Sequence, residues 1–156
     1  MNKFLDLLEK GEGLSIAEQQ RQASQQFSQT LSSSNFRAWS PDDPIMPRGK
    51  RMLIGIAPYS HLDLRLLDIL DNALGKVATN QIRVEVFNVL ECATMEDFDR
   101  YIPALGKVFQ TPVAGIWIDG ELKEKAWGRD ARELIKRIFD LEPSAIKADE
   151  QVSSKA

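Results

Sequence analysis

The alternation of apolar and polar positions divides the chain into a sparse N-terminal third and a dense remainder. Residues 52–57 run Met-Leu-Ile-Gly-Ile-Ala without one polar side chain, the mark of a strand buried on both faces. A tight Ala57-Pro58-Tyr59-Ser60 turn follows. Leu62, Leu66, Leu67, Ile69, Leu70, Ala73 and Leu74 then recur at helical spacing. Ile82, Val84 and Val86 alternate with Arg83 and Glu85, which predicts a second strand with one solvent side. Thr94 and Asp97 cap a helix that buries Phe98, Tyr101, Ile102 and Leu105, and Pro103 shortens or kinks it. Residues 113–118 form a third strand, Asp119-Gly120 a two-residue hairpin turn, and residues 121–127 a fourth strand. Gly128 ends that strand. Asp130, with Glu133 three positions on, opens a last helix whose core side is Ala131, Leu134, Ile135, Ile138 and Phe139.

The N-terminal third is thinner. Residues 3–10 predict a short helix with Phe4, Leu5, Leu7 and Leu8 on one side, ended by Gly11. Ser15-Ile16-Ala17-Glu18 has capping-box form and starts a Gln-rich helix over 16–31. Its apolar stripe is only Ile16, Ala23, Phe27 and Leu31, too little burial for a free-standing helix. It docks on the main domain, pairs with a partner or a second copy of the chain, or frays. Pro41, Pro44 and Pro47 mark residues 32–50 as a linker. Phe36 and Trp39 within it either pin the linker to the domain or serve as a recognition peptide. The expected organisation is a helical extension over 1–31, a linker over 32–50, one α/β domain over 51–141 and a disordered polar tail over 142–156.

The order βα–βα–ββα fixes much of the topology. A helical crossover makes the first two strands parallel, and the hairpin makes the last two antiparallel. One mixed four-stranded sheet flanked by helices satisfies both. Composition narrows the function. A chain of 156 residues that is 43% apolar supports one core, and a net charge of −3 without a basic block gives no reason to expect nucleic-acid binding. No stretch reaches the length of a membrane span, and the first residues lack a cleavage-site pattern, so a cytoplasmic protein is expected. A single cysteine, Cys92, and a single histidine, His61, leave no internal disulfide and no zinc set. Neither a metal nor a cofactor is expected.

The stretch from Thr111 to Leu122, Thr-Pro-Val-Ala-Gly-Ile-Trp-Ile-Asp-Gly-Glu-Leu, resembles the thioredoxin family's segment of cis-proline, apolar strand, Asx-Gly turn and Glu-aliphatic. The resemblance covers residues 50–141 and implies a thioredoxin-like fold with a cis Thr111–Pro112 bond. It also places Tyr59-Ser60-His61-Leu62-Asp63 where redox members carry Trp-Cys-x-x-Cys. Ser60 then stands for the attacking cysteine and Asp63 for the resolving one, and the family's buried proton-accepting acid is matched by Ile54. Thiol–disulfide exchange needs a thiolate and a second thiol, which a hydroxyl and a carboxylate cannot supply.

Three readings of this corner follow. Ser60 and Asp63 can be a plain helix cap of the form S-x-x-D. Ser60 and His61 can be a hydrolytic pair, but neighbours at a helix start seldom reach each other. Or Tyr59, Ser60, His61 and Asp63, beside Thr111 and Pro112, can bind a ligand or an extended peptide, as the family does. Cys92, flanked by Glu91 and Glu96, reads as a small apolar group rather than a reactive thiol. The expectation is a non-catalytic, redox-inactive protein-binding module: an assembly factor, a chaperone-like adaptor or a small subunit. Its contact residues are the corner together with Phe27, Phe36 and Trp39. The rival is an enzyme, either a thiol protein using Cys92 or a glutathione-binding, transferase-like protein.

Overall fold

The computed structural model describes residues 3–9, 13–39, 48–76, 82–89, 110–139 and 141. The elements in chain order are α1 (Asp6–Glu9), α2 (Ile16–Ser32), β1 (Arg37–Ala38), β2 (Lys50–Ile56), α3 (His61–Lys76), β3 (Ile82–Asn88), β4 (Val113–Ile118), β5 (Glu121–Trp127) and α4 (Arg129–Phe139). The strands form one sheet in the order β1-β3-β2-β4-β5. β2 and β3 are parallel, with Met52 opposite Val84 and Ile54 opposite Val86. β4 runs antiparallel to both β2 and β5. These are the directions the crossover and the hairpin require, and the result is a mixed sheet flanked by helices, with Thr111–Pro112 cis as the resemblance implies. The helix expected over 94–105, Cys92, the prolines of the linker and the tail over 142–156 lie outside the described residues.

Asp119 and Gly120 both take positive φ, which gives the β4–β5 hairpin the backbone twist its strands need. The Asp119 carboxylate also accepts from the Gly49 amide at 2.9 Å, tying the turn to the start of β2. β2 is buried on both faces, as its unbroken apolar run predicts. Met52, Ile54 and Ile56 face the main core with Val84, Val86, Ala114 and Ile116, over which Leu64, Leu67, Leu70, Leu134 and Ile135 pack. Leu53 faces the other way, joining Phe87, Val113 and Trp117. Gly55 is required there: a Cβ would sit 2.5 Å from the Phe87 ring and 2.6 Å from Val113.

The sheet has five strands rather than four. The extra one is β1, taken from the expected linker, and it pairs in parallel with β3 through Arg37 opposite Glu85. A two-residue strand carries no periodicity to read. The solvent side expected for β3 is also wrong at Glu85, which is 1% exposed. Arg51 on β2 grips it twice, Nε to Oε1 at 3.1 Å and Nη2 to Oε2 at 2.6 Å, and Arg83 approaches at 2.7 Å. The Arg51 guanidinium lies over the Trp117 ring. A buried charge is tolerated here because it is paired and hydrogen-bonded on the spot.

The N-terminal helices pack in cis. Phe4 stands against Phe27 and Phe36 at centroid distances of 5.7 and 5.9 Å, and all three belong to the main core. Two carboxylates on one edge of α3 hold the segment in place. Asp68 accepts from the Phe4 and Leu5 amides at 2.9 and 3.1 Å, and Asp71 accepts from the Asn35 amide at 2.7 Å. Asp68 caps the donors at the head of α1 that no helix bond can satisfy. Burial pushes its carboxyl up, and the two amides it binds pull the other way. Ser15 caps α2 as its pattern predicts, accepting from the Glu18 amide, while Glu18 turns aside to Arg21. Ile16, expected on the buried stripe, is exposed.

Candidate functional site

Three chain segments meet at the end of the sheet where β2 and β5 finish and β4 begins. β2 stops at Ile56, and the Ser60 amide closes the turn on the Ala57 carbonyl at 3.0 Å. Thr111–Pro112 enters β4. Trp127, the last residue of β5, lies opposite Val113, and the Gly128 amide donates to the Pro112 carbonyl at 2.8 Å. Gly128 has φ near +63°, and a Cβ there would lie 2.5 Å from the Gln110 side chain. Glycine is therefore favoured at this crossing by its backbone conformation, while the end of the Gln110 side chain can move aside.

Ser60 and Asp63 are both engaged in building the corner. The Ser60 hydroxyl accepts from the Asp63 amide at 3.3 Å, the expected cap. The Asp63 carboxylate does something the capping pattern does not suggest. It turns back under the corner, and its Oδ2 accepts from the Ala57 amide at 3.0 Å. Asp63 is 0% exposed, and its Oδ1 has no partner at hydrogen-bond geometry. Burial therefore pushes the Asp63 carboxyl up. The Thr111 side chain, the Ala57 amide, the Arg132 charge and the Ser60 hydroxyl oppose that rise without cancelling it. Ile54 is buried and apolar, so the acid next to the corner comes from α3.

The other predicted residues separate into two groups. Tyr59 and His61 are exposed, Ser60 and Thr111 are partly exposed, and Pro112 is buried among them. This group comes together at one place. Phe27 and Phe36, by contrast, are 2% and 6% exposed within the protein's own core and are not available to a partner. They are corrected from binding residues to packing residues, because Phe4 supplies the third ring that completes their contact. Trp39 stacks on Phe87 at 4.7 Å and pins the start of the linker to the second core. Sequence reasoning gave no role at the corner to Leu62, Trp127 or Arg132. For the two hairpin tryptophans the pattern allows either core packing or an exposed face, and the structure buries Trp117 and exposes Trp127. Among the described residues, no group of three or more metal-ligating side chains occurs, and no helix is long and apolar enough to cross a membrane.

No protein-family model matches the chain, and no curated protein matches it. Among solved structures, it is similar to a chain from work on the thiol resolving mechanism in yeast mitochondrial 1-Cys peroxiredoxin via glutathione/thioredoxin systems. The identity is 21%, the match covers 62% of this chain and 83% of that one, and the TM-score is 0.46. It is also similar to a mutant thioredoxin from Halobacterium salinarum NRC-1, at 16% identity over 69% of this chain and 92% of that one, with a TM-score of 0.43.

Proposed function

We propose that the chain is a non-catalytic, redox-inactive protein-binding module that receives an extended segment of a partner protein at the corner of Tyr59, Ser60, His61, Thr111 and Pro112. Such a module serves as an assembly factor, a chaperone-like adaptor or a small subunit. One observation carries this reading: the two side chains at the positions of the redox pair are committed to architecture. Ser60 Oγ holds the Asp63 amide, and the Asp63 carboxylate holds the Ala57 amide out of contact with solvent. Asp63 is not presented to an incoming group, a serine hydroxyl cannot act as a thiolate, and a carboxylate cannot resolve a mixed disulfide. The exposed ring of Tyr59 and the partly exposed Thr111 offer a contact surface in their place.

The test is insulin reduction by the full-length protein with dithiothreitol, run beside retention on immobilised glutathione. The proposal expects no acceleration of insulin precipitation and no retention. Acceleration lost in Cys92→Ser would establish a thiol enzyme, and specific elution by free glutathione a transferase-like protein.

A further inference from the structure

We propose that the segment received at this corner is acidic: an extended stretch of a partner protein carrying Asp or Glu beside an aromatic or branched apolar residue. This rests on the docking reading above and adds the partner's chemistry to it.

The chain's net charge is −3, yet its charges are sorted around α4. That helix buries Ala131, Leu134 and Ile135. At about 100° per residue, Arg129, Arg132 and Lys136 fall on one flank of that stripe, and Asp130, Glu133 and Arg137 on the other. The mixed flank lines a groove against Lys123 and Lys125 of β5, where Arg137 pairs with Glu124 at 2.9 Å. On the other flank Arg132 and Lys136 stand with no acid between them, and Arg129 lies at its outer edge, next to Glu133. Arg129 and Lys136 make no ion pair among the described residues.

The first turn of this flank begins at the corner. Arg129 directly follows Gly128, whose amide is bonded to Pro112, and the Arg132 amide is bonded to Gly128 in turn. The charge of Arg132 reaches Asp63 beneath the corner. One edge of α3, carrying Asp68 and Asp71, is taken by the N-terminal segment. The opposite edge, with Leu62 and Ile69, is the one left to meet α4, which touches α3. The N-termini of α3 and α4 both end here, adding their positive poles.

The apolar half of the signal lies at the same end of the sheet. Among the described residues five large apolar side chains are exposed: Tyr59 and Leu62 stand at the corner, Trp127 ends β5 at the same end of the sheet but shares the face of Val113, away from α4, and Leu14 and Ile16 flank the start of α2. A cationic flank beside apolar side chains complements a segment that alternates acid and hydrophobe, and it repels a basic one.

The experiment pans a random heptapeptide library, displayed on phage, against the immobilised full-length protein at low salt. One enriched peptide is then synthesised with its Asn/Gln counterpart. We expect enrichment of Asp and Glu next to apolar residues, with the acidic peptide binding about ten-fold more tightly than its amide counterpart. That difference should collapse in Arg129→Glu/Arg132→Glu and at high salt. Arg129→Glu alone, at an exposed position, reads out part of the same loss should the double reversal disturb folding. Enriched peptides without acidic bias, or a preference that survives the charge reversal, overturn the inference. If those peptides still lose affinity in Tyr59→Ala, the docking reading stands without it. A library that yields no binder, or binders indifferent to Tyr59→Ala, removes the docking reading and the inference together. Tighter binding of a single-stranded oligonucleotide than of any selected peptide also overturns it.

Discussion

Asp63 shows what a single residue contributes and what a sequence can say about it. Its place in S-x-x-D identifies a helix cap, and the cap is there. That the carboxylate would reach back to the Ala57 amide was not legible, because the turn that brings this amide under α3 is a property of three dimensions. The consequence for stability has a definite sign. Folding raises the Asp63 pKa above its ordinary value of 3.8, so the folded state binds the proton more tightly than the unfolded chain. The ionised carboxylate therefore costs stability at neutral pH, and that cost disappears as pH falls through the raised value towards the unfolded one. Asp63→Asn keeps an acceptor for Ala57 and removes the charge. It should raise the urea midpoint at neutral pH, with the gain shrinking as the pH is lowered towards about 4. A gain that is constant over that range would contradict the account.

Glu85 makes the opposite case. Alternation alone put it on a wet face, and only the register of β2 against β3 shows that Arg51 lies within reach. Glu85→Ala leaves the Arg51 guanidinium buried and uncompensated and should cost about 3–5 kcal/mol in chemical denaturation. Replacing both partners, as Arg51→Met with Glu85→Leu, should recover most of the loss.

At the scale of elements, periodicity located β2, α2, α3, β3, β4, β5 and α4 well, because each has a face long enough to show a period. It failed for β1, which is too short, and it underrated α2. The stripe of α2 looks too thin to hold a helix because it is completed from elsewhere, by Phe4 before it and Phe36 after it. Asn88 at the end of β3 adds a hydrogen bond to Ser24 at 3.1 Å. The extension is thus part of the main core. Phe27→Ala should destabilise the whole protein by about 3–5 kcal/mol, in one cooperative transition rather than by loosening α2 alone. A chain starting at Arg48 loses Phe4, Phe27, Leu31 and Phe36 together and should be aggregation-prone, which size-exclusion chromatography will show. Asp68→Ala strands two amides at the head of α1 and should cost about 1–3 kcal/mol, with hydrogen exchange rising first at Phe4 and Leu5.

At the scale of the whole molecule, the fold brings three sequence-distant segments to one end of the sheet and puts the helix charges of α3 and α4 around them. The segments themselves were legible: the Tyr59–Asp63 corner, Thr111–Pro112, and the glycine after β5. The place of Arg129 and Arg132 beside the Pro112 crossing emerges only once α4 is packed. The central claim is that this end of the molecule is a docking surface. Its most direct test is amide chemical-shift mapping on the full-length, isotope-labelled protein titrated with the selected acidic peptide. Shifts should concentrate at Tyr59, Ser60, Thr111, Gly128 and Arg129 and leave the amides of α2 unmoved. Shifts centred on α2 or on the groove between β5 and α4, with the corner silent, would contradict it.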